Sequence, residues 1–318
     1  MDDFAKYEQV HSEVNTRNGT TISGHQFLTG CELIGNPYEP LSYIYKEILP
    51  TPCLGMLAGP PKIGKSWYAL NILHEVNQAG HCVVFMGNED NHRRLQSRYK
   101  AIAHSPDDNV IFYAGLSNDE PMPKGKKAHD FIRKIYAKFN PSLIIIDTLE
   151  GIRDTNGKDN YSLSVKEFTD LRRLAHQLDI VILCVHHTRK KTDYEVEPLD
   201  SILGSQGIAA TLDTILIMKA QTGTKDVNLF VTGKDVEQQD LALSWNYPSF
   251  SEPSSSATAF LGQAQEQVYE YIRDHPRCTQ AAICGATDKH KSQVSKIVNQ
   301  LIGRDLVLKK EGVLICSV

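Results

Sequence analysis

One stretch of eight residues has the types and spacing that bind phosphate groups. Residues 59–66 read Gly-Pro-Pro-Lys-Ile-Gly-Lys-Ser and fit the pattern G-x-x-x-x-G-K-[ST] at every fixed position. In this pattern the glycines let backbone N–H groups turn toward the phosphates, the lysine reaches the outer phosphates, and the hydroxyl coordinates Mg²⁺. The residues predicted to bind a nucleotide are Gly59, Pro60, Pro61, Lys62, Ile63, Gly64, Lys65, Ser66 and Trp67.

The flanking residues support this interpretation over a glycine turn with a purely structural role. An apolar run at residues 53–58 precedes the loop, and apolar residues at 67, 70, 73 and 76 follow it near helical spacing. A strand, a loop and a helix in this order bring the N–H groups of the helix terminus to an anion. We therefore predict a strand ending at the loop and a helix beginning in it.

A second strand ends in a carboxylate. Residues 143–146 are Leu-Ile-Ile-Ile, and Asp147 follows them. After a phosphate loop, an acid at such a strand end holds Mg²⁺ opposite the hydroxyl of Ser66. The alternative is a strand end with a solvated aspartate, since four aliphatic residues before an Asp are common.

A second carboxylate is a candidate for polarising the attacking water. Glu89 follows the predicted strand 81–87, which we expect beside the strand of the phosphate loop. Phosphoryl transfer is catalysed mostly by positioning and electrostatics, so a carboxylate at this place fits a general base. The alternative is that Glu89 and Asp90 are acids at a helix N-terminus, which the helix dipole favours. Glu150, just after Asp147, is the competing base.

Two histidines and a basic run follow the predicted strand at 179–185. His186 and His187 stand at its end, and Arg189, Lys190 and Lys191 open a long polar loop. We predict that His187 senses the outermost phosphate and that the basic residues contact a nucleic-acid backbone, which would couple the two sites. In the alternative interpretation the run is a solvated charged surface and the histidines only pack at the strand end.

Composition limits the class of protein. The 318 residues are 41% hydrophobic and 23% charged, which is ordinary globular composition and enough for two domains. The net charge of −4 excludes an overall basic field that would draw the whole molecule onto nucleic acid, so any such contact must be local.

Cysteine spacing and the N-terminal sequence bear on the compartment. The seven cysteines form no C-x-x-C pair, and the spacing of Cys278 and Cys284, near His275 and His290, matches no common zinc pattern. The N-terminus lacks the basic and apolar regions of a secretory signal, and no run of eighteen apolar residues occurs. We expect a cytoplasmic protein with reduced thiols and no membrane partner.

The order of the predicted elements indicates the fold class. Apolar strands at 53–58, 81–87, 109–114, 142–147 and 179–185 alternate with helical patterns, which predicts an α/β fold with a mostly parallel sheet. After residue 211 the strands follow one another without helices, as in an antiparallel extension at one edge. We divide the chain into an arm at 1–39, an ATPase-type domain at 40–246, a Ser- and Pro-rich linker at 247–258 and a small domain at 259–318.

The small domain shows three helical patterns followed by two short strands. In the pattern at 288–302 the apolar residues fall at i, i+3, i+4, i+7 and i+8, and Lys289 and Lys296 stand on the opposite face with Lys291 in the first turn. This pattern resembles a winged helix-turn-helix, whose second helix enters the DNA major groove. Winged helices also dock proteins, so we keep both partners open.

Six motifs in one order carry a family resemblance over residues 40–246. The segments GPPKIGKS, GNEDNHRRLQSR, LIIIDTLE, VHHTRKK, LDSILGSQGIAATLD and VTGKDVEQQDLALSW resemble the RecA-like ATPase domain of RepA-type hexameric replicative helicases, which are more distantly related to DnaB-type ring helicases. The resemblance implies ATP and Mg²⁺ as cofactors, a homo-oligomer, expected to be a hexamer, and single-stranded DNA as partner.

The resemblance also implies roles for single residues. Lys65 and Ser66 serve the phosphates and Mg²⁺, Asp147 serves Mg²⁺, and Glu89 and His187 serve the water and the γ-phosphate. At Lys234 the family usually has an arginine that reaches the neighbouring subunit's site. A lysine supplies the charge without the bidentate fork, so either trans-activation is altered, another arginine supplies it, or Lys234 is an ordinary lysine on an edge strand.

The expected activity is ATP hydrolysis coupled to movement on single-stranded DNA, in replication of a plasmid, phage or mobile element. One alternative is a recombinase- or loader-type ATPase that binds DNA without unwinding it. The other is a nucleotide-switched regulator whose small domain binds an operator.

Overall fold

The computed structural model describes residues 20–105, 107–154, 161–188, 206–220, 226–251, 263–287, 289–302, 306–310 and 312–316. The chain divides into two compact units, residues 1–41 and 42–318. In the first unit, β1 (Thr20–Ile22) and β2 (His25–Phe27) form an antiparallel hairpin, and α1 (Gly30–Gly35) follows. Thr29 and Glu32 form a reciprocal capping box that satisfies two N–H groups at the start of α1.

The second unit contains the remaining described elements. They are, in chain order, β3 (Ser42–Tyr45), β4 (Leu49–Thr51), β5 (Cys53–Gly59), α2 (Lys65–Gln78), β6 (Val83–Gly87), α3 (His92–Ile102), β7 (Val110–Ala114), α4 (Lys126–Phe139), β8 (Leu143–Asp147), α5 (Tyr161–Leu178), β9 (Val181–His187), α6 (Gln206–Thr211), β10 (Thr214–Ala220), β11 (Val227–Gly233), β12 (Gln239–Asn246), β13 (Ser249–Ser251), α7 (Gln263–Asp274), α8 (Gln280–Thr287), α9 (Lys291–Ile302), β14 (Val307–Lys310) and β15 (Val313–Cys316).

The central sheet confirms the predicted α/β class. Its nine described strands lie in the order β13-β12-β11-β10-β5-β9-β8-β6-β7. The strands from β10 to β7 run parallel, and β11, β12 and β13 add antiparallel strands beyond β10. The predicted antiparallel extension is therefore present at one edge. The carboxyl ends of the parallel strands all lie along the same end of the sheet.

One predicted neighbour relation is wrong. We expected β6, which leads to Glu89, to lie beside the phosphate-loop strand β5, but β9 and β8 lie between them. The sequence cannot show this because successive β-α-β units can add strands on either side of the first one. Glu89 still approaches the loop, because parallel strands present their ends along one line.

The alternation of side chains along β5 explains why both faces of the sheet are covered. Cys53 and Leu57 belong to one buried cluster with residues of α2, whereas Leu54, Met56 and Ala58 belong to another with residues of α5. All five are fully buried. Burial of each large aliphatic side chain contributes on the order of 1.5–3 kcal/mol, so this strand and its helices are a rigid base for the loop that follows.

Part of the segment predicted as a linker, residues 247–258, belongs to the central sheet. Residues 249–251 form β13, which pairs with β12, and Phe250 packs against the buried cluster on the α2 side. Phe250, between two serines, is compatible with a strand as well as with a loop. Its contacts with distant residues favour the strand. Residues 252–258 lie outside the described residues.

The C-terminal elements have a hydrophobic core of their own. Helices α7, α8 and α9 and the hairpin of β14 and β15 surround it, in the order that the sequence predicted. Its buried residues are Val268, Tyr269, Ile272, Ile283, Val294, Ile297, Val298, Leu301, Val307 and Leu314. The apolar face predicted for residues 288–302 therefore faces this core, and the assignment as a winged helix remains a prediction.

No helix in the described part of the chain is both long and apolar enough to cross a membrane.

Candidate active site

The phosphate loop joins the end of β5 to the start of α2. Gly64 caps α2 with φ +105°, a left-handed conformation that glycine adopts without strain. A Cβ atom on Gly59 would lie 2.9 Å from the carbonyl oxygen of Met218 on the neighbouring strand β10. Both fixed glycines of the motif are thus required by backbone conformation or close packing, and the N-terminus of α2 opens onto the loop.

Lys65 is buried inside the loop. Its side-chain nitrogen donates to the carbonyl oxygens of Gly59 at 2.8 Å and Pro60 at 2.9 Å, and lies 3.0 Å from Nδ1 of His187. Burial lowers the pKa of Lys65 to about 8, although the charges of nearby carboxylates act in the opposite direction. A phosphate oxygen, which carries negative charge, would stabilise the ammonium form more strongly than these neutral carbonyls do.

His187 lies beside the phosphate loop. It ends β9, which pairs with β5 so that His187 lies opposite Gly59. Burial and the charge of Lys65 lower the pKa of His187, which favours the neutral ring at neutral pH. Neutral imidazole keeps a lone pair on one nitrogen, so Nδ1 can accept a hydrogen bond from Lys65.

Ser66 and Asp147 form a pair of oxygen donors at the inner end of the site. The Ser66 hydroxyl hydrogen-bonds Asp147, which ends β8 and is 6% exposed. Burial raises the pKa of Asp147 to about 6, and the charges of Asp90 and Glu89 act in the same direction. A hydroxyl beside a buried carboxylate fits the preference of Mg²⁺ for oxygen ligands, and a divalent cation would offset the unfavourable burial of negative charge.

The structure separates the two candidates for general base. Glu89 is exposed and lines the cavity, and the Thr148 hydroxyl donates to its Oε1 at 3.0 Å. Helix α3 begins later, at His92, with Asn91 as its N-cap. Glu89 therefore does not belong to the first turn of that helix, which weakens the alternative that it only complements the helix dipole.

Glu150 has a different partner. Its Oε1 contacts Nδ1 of His186, which is buried at the end of β9. Burial alone would raise the pKa of Glu150, but the hydrogen bond and charge of His186 lower it, and a hydrogen bond with Thr148 acts in the same direction. Glu150 is not among the described residues that line the cavity, so the geometry favours Glu89 for contact with a bound water.

Three charged residues of the site were not predicted as site residues. Asp90 is 5% exposed and pairs with Arg94 at 3.0 Å and Arg98 at 2.9 Å, and the Arg98 guanidinium lies 5.9 Å from the centre of the Trp67 ring. The sequence signal was the spacing of four residues between Asp90, Arg94 and Arg98, which places both arginines on one face of α3. Asp90 fixes two cations at the mouth of the site.

These residues enclose one cavity of about 320 Å³. Its described lining residues are Lys62, Gly64, Lys65, Ser66, Trp67, Glu89, Asp90, Arg94, Arg98, Asp147, Thr148 and His187. Cations, a hydroxyl and carboxylates thus converge on a space next to a helix N-terminus. This combination can bind a polyphosphate with a divalent cation and place a carboxylate beside the outermost phosphate.

Lys234 does not lie in this cavity. Its side-chain nitrogen is 3.3 Å from Oδ1 of Asp213, a residue that also accepts from the backbone nitrogen of Leu54 near the start of β5. The phosphate loop lies at the other end of β5, so about 15–20 Å of strand separates Lys234 from it. Arg172 shares the same carboxylate at 2.7 Å. Lys234 therefore does not contact the candidate nucleotide site of its own chain.

The predicted nucleic-acid residues are not brought to the cavity by any described contact. Arg189, Lys190 and Lys191 lie outside the described residues. Lys291 and Lys296 are exposed on α9, and Lys289 donates to Oε1 of Gln267 on α7 at 2.6 Å. Their predicted contact with DNA is treated below as a proposal.

A substitution in the loop tests its geometry. We expect Gly64→Ala to weaken triphosphate binding by about tenfold or more, roughly 1.4 kcal/mol, because its Cβ would lie 2.7 Å from the Phe250 ring and the backbone would be strained. Isothermal titration calorimetry with ATP, and with tripolyphosphate, measures this.

Gly80→Ala is the matched control. Gly80 has φ +95°, but no atom lies within 4 Å of the place that its Cβ would take, so this variant carries the backbone strain alone. We expect a loss of about 1 kcal/mol in the free energy of unfolding and unchanged triphosphate affinity. Equal affinities for the two variants would show that the loop tolerates displacement of Phe250.

Comparisons with known structures concern the fold. The ATPase domain of G40P is similar at a TM-score of 0.53 and 14% identity over 79% of this chain and 98% of that one. A DnaB-like replicative helicase, solved in a study of its interactions with primase, is similar at a TM-score of 0.51 and 14% identity over 64% of this chain and 58% of that one. These likenesses show a RecA-like P-loop fold.

No curated protein matches the sequence significantly. The family of AAA domains named AAA_25 matches residues 27–193, more than half of the chain. That range includes the phosphate loop, Glu89, Asp147 and His187. The chain therefore belongs to the AAA_25 family of AAA domains.

Proposed function

We propose that this protein is an Mg²⁺-dependent ATPase that acts as a DNA helicase or translocase of the ring-forming, RecA-like type. The observation that carries the proposal is the convergence of Lys65, Ser66, Glu89, Asp147 and His187 on one cavity at the N-terminus of α2. The likeness of the fold to helicase ATPase domains supports the coupling to DNA, and the six ordered motifs support the RepA type within that group.

The residues divide the chemistry among themselves. Backbone N–H groups of the loop and Lys65 hold the phosphates, and Ser66 with Asp147 would hold Mg²⁺, which neutralises charge that develops on the phosphate oxygens. Glu89 orients the attacking water and accepts a proton from it. The Thr148 hydroxyl keeps one carboxylate oxygen of Glu89 in place and leaves the other for the water.

His187 connects the nucleotide to the rest of the molecule. Its contact with Lys65 at 3.0 Å changes when a phosphate draws the ammonium away from Nδ1. The next residues along the chain include Arg189, Lys190 and Lys191, the proposed contacts to the phosphate backbone of single-stranded DNA. Sensing at His187 would thereby alter the position of DNA contacts that follow it by only a few residues.

A homo-oligomer, which we propose to be a hexamer, explains the position of Lys234. The residue lies near the opposite end of the parallel strands from its own phosphate loop, where another subunit's site can face it. There it would supply positive charge to the phosphates without the bidentate contact of an arginine.

The C-terminal elements are proposed to form a winged helix that contacts DNA. Helix α9 buries its apolar face in the local core and leaves Lys291 and Lys296 exposed. This is the arrangement in which a recognition helix presents its polar face to the major groove. Such a module would serve the replication of a plasmid, phage or mobile element.

A substitution on α9 tests this contact. We expect Lys296→Gln to weaken binding to duplex DNA for all sequences alike and to lower the slope of log K against log salt by about one. Fluorescence anisotropy at several salt concentrations gives both quantities. Lys134→Gln, an exposed lysine on α4 in the ATPase core, is the control and should leave the slope unchanged. An unchanged slope for Lys296→Gln would point to a protein-docking role.

The whole proposal is tested with the intact chain, ATP, Mg²⁺ and DNA. We expect ATP hydrolysis to increase with single-stranded DNA and a forked duplex to be unwound, and both activities to disappear in Lys65→Ala. Stimulation without unwinding would favour a loader or recombinase-type ATPase. Tight, sequence-specific duplex binding without stimulated hydrolysis would favour the regulator and overturn the helicase assignment.

A further inference from the structure

A second cavity adjoins the phosphate loop and has no role in the chemistry above. It has a volume of about 390 Å³. Its described lining residues are Lys62, Ile63, Gly64, Trp67, Ala220, Asp226, Val227, Trp245 and Phe250. Lys62, Gly64 and Trp67 also line the first cavity, so the two cavities adjoin each other along the loop.

Three of the nine described residues that line this second cavity are aromatic. The Trp67 ring centre lies 5.7 Å from that of Trp245, which lies 4.7 Å from that of Phe250. Tyr247, 69% exposed, lies 5.5 Å from Trp67. Trp67, Trp245 and Phe250 are each only partly buried, and an aromatic face that remains open can stack on a planar ligand.

The rings are held in place by the same helix that starts at the phosphate loop. The backbone nitrogen of Phe250 donates to Oδ1 of Asn71 on α2 at 2.9 Å, and its ring meets the Tyr68 ring edge-on at 5.7 Å. A Cβ atom on Gly64 would lie 2.7 Å from the Phe250 ring. The aromatic wall is therefore fixed relative to the residues that bind the phosphates.

We propose that the second cavity binds the base of the nucleotide, and that it favours a purine. The proposal rests on the proposed ATPase function, because the first cavity must hold the triphosphate for the base to extend along the loop into the second. Trp67, the first residue after the phosphate-binding hydroxyl, lies at the boundary of both. A purine presents a larger face to the aromatic rings than a pyrimidine does and gains more from stacking.

Fluorescence provides a direct test. Trp67 and Trp245 are the two tryptophans of the sequence, and both line this cavity. We expect Mg²⁺-tripolyphosphate to compete with ATP but to change the intrinsic tryptophan emission at saturation less than Mg²⁺-ATP does, because the triphosphate alone reaches Trp67 in the first cavity but not Trp245. CTP and UTP should bind more weakly than ATP and GTP.

A variant separates the base contact from the phosphate contact. Trp245→Ala should weaken ATP binding between about fivefold and a hundredfold, the range of base stacking on an aromatic side chain, and leave tripolyphosphate binding within about twofold of wild type. Trp245→Phe keeps an aromatic face and should restore most of the ATP affinity. Circular dichroism and the thermal unfolding temperature report whether Trp245→Ala folds.

Several results would contradict the proposed base site or the proposed ATPase function. Equal losses for ATP and tripolyphosphate would make Trp245 a support for the loop and overturn the base site. Equal emission changes for both ligands, or no purine preference, would also overturn it. Quenching by oligothymidylate that ATP does not displace would assign the cavity to DNA instead. Failure of both ATP and tripolyphosphate to bind wild type would refute the ATPase proposal itself.

Discussion

Replacement of Glu89 with glutamine is expected to lower kcat for ATP hydrolysis by about 10²- to 10⁴-fold, the range for loss of a general base. The amide keeps the shape of the side chain and can still accept the Thr148 hydrogen bond, but it cannot take a proton from water. ATP affinity should stay near the wild-type value, because Lys65, Ser66 and Asp147 are unchanged. Steady-state phosphate release and calorimetric ATP titration measure the two quantities.

Glu150→Gln is the matched control. Glu150 is the next carboxylate along the chain after Asp147, and its contact is with His186. We expect kcat within about threefold of wild type, because a group that does not touch the reacting water supplies little to proton transfer. A large loss in Glu150→Gln together with a small one in Glu89→Gln would exchange the roles of the two residues.

Replacement of Asp213 with asparagine is expected to lower the free energy of unfolding by about 2–3 kcal/mol, since it removes charge-assisted hydrogen bonds from a buried group. Asp213 is 4% exposed and contacts Arg172 at 2.7 Å, His176 at 3.0 Å and Lys234 at 3.3 Å. The amide cannot satisfy these donors as a carboxylate does. Urea unfolding followed by fluorescence of the two tryptophans, both outside this cluster, measures the loss.

Asp170→Asn is the control, because it removes an exposed Asp–Arg pair on the helix that also carries Arg172. Asp170 lies 3.3 Å from Arg173, whose side chain is 64% exposed. Exposed pairs of this kind contribute about 0.5 kcal/mol or less. Similar losses of unfolding free energy in Asp213→Asn and Asp170→Asn would mean that burial does not increase the contribution of the Asp213 contacts to stability.

The Asp213 effect should depend on pH in a defined direction. Burial alone would raise the pKa of Asp213, but the hydrogen bonds from Leu54 and His176 and the charges of Arg172 and Lys234 lower it. The stabilisation is therefore complete above the unfolded-state pKa of about 4 and is lost as the pH falls through the lower pKa of the folded state. The part of the difference between wild type and Asp213→Asn that depends on ionisation of the carboxylate should be complete above about pH 5 and shrink below about pH 4.

The position of Asp213 also bears on Lys234. The carboxylate holds Lys234 within its own subunit, and Arg172 shares that carboxylate. For Lys234 to serve a neighbouring site it must leave this contact, which is feasible because its side chain is 40% exposed and can be rehydrated. Arg172, 37% exposed, is a second cation at the same place that no sequence pattern had indicated.

Much of the active site was predictable because its signals are local. The order of strand, glycine loop and helix places Lys65 and Ser66 without knowledge of any distant residue. Asp147 and His187 follow apolar strands directly, and parallel strands carry such residues to one edge of the sheet. Local sequence patterns were therefore sufficient to predict that these four residues lie near one another at one end of the sheet.

The remaining features depend on contacts between segments that are far apart in sequence. Whether β6 lies next to β5, or further along the sheet, depends on which side each β-α-β unit adds to it. The choice between Glu89 and Glu150 depended on His186, whose ring is buried against Glu150. Phe250 belongs to a strand because Asn71 and the core of α2 hold it there, although its neighbours in sequence have linker composition.

The sequence by itself determined the α/β class, the phosphate loop and the residues at the strand ends, since backbone periodicity and glycine chemistry act over a few neighbours. Tertiary structure alone decided the order of the strands, the partner of each carboxylate and the distance of Lys234 from its own loop. It alone also placed Trp245 beside Trp67 and the glycine loop. These features depend on packing and burial, which pair residues that the chain keeps far apart.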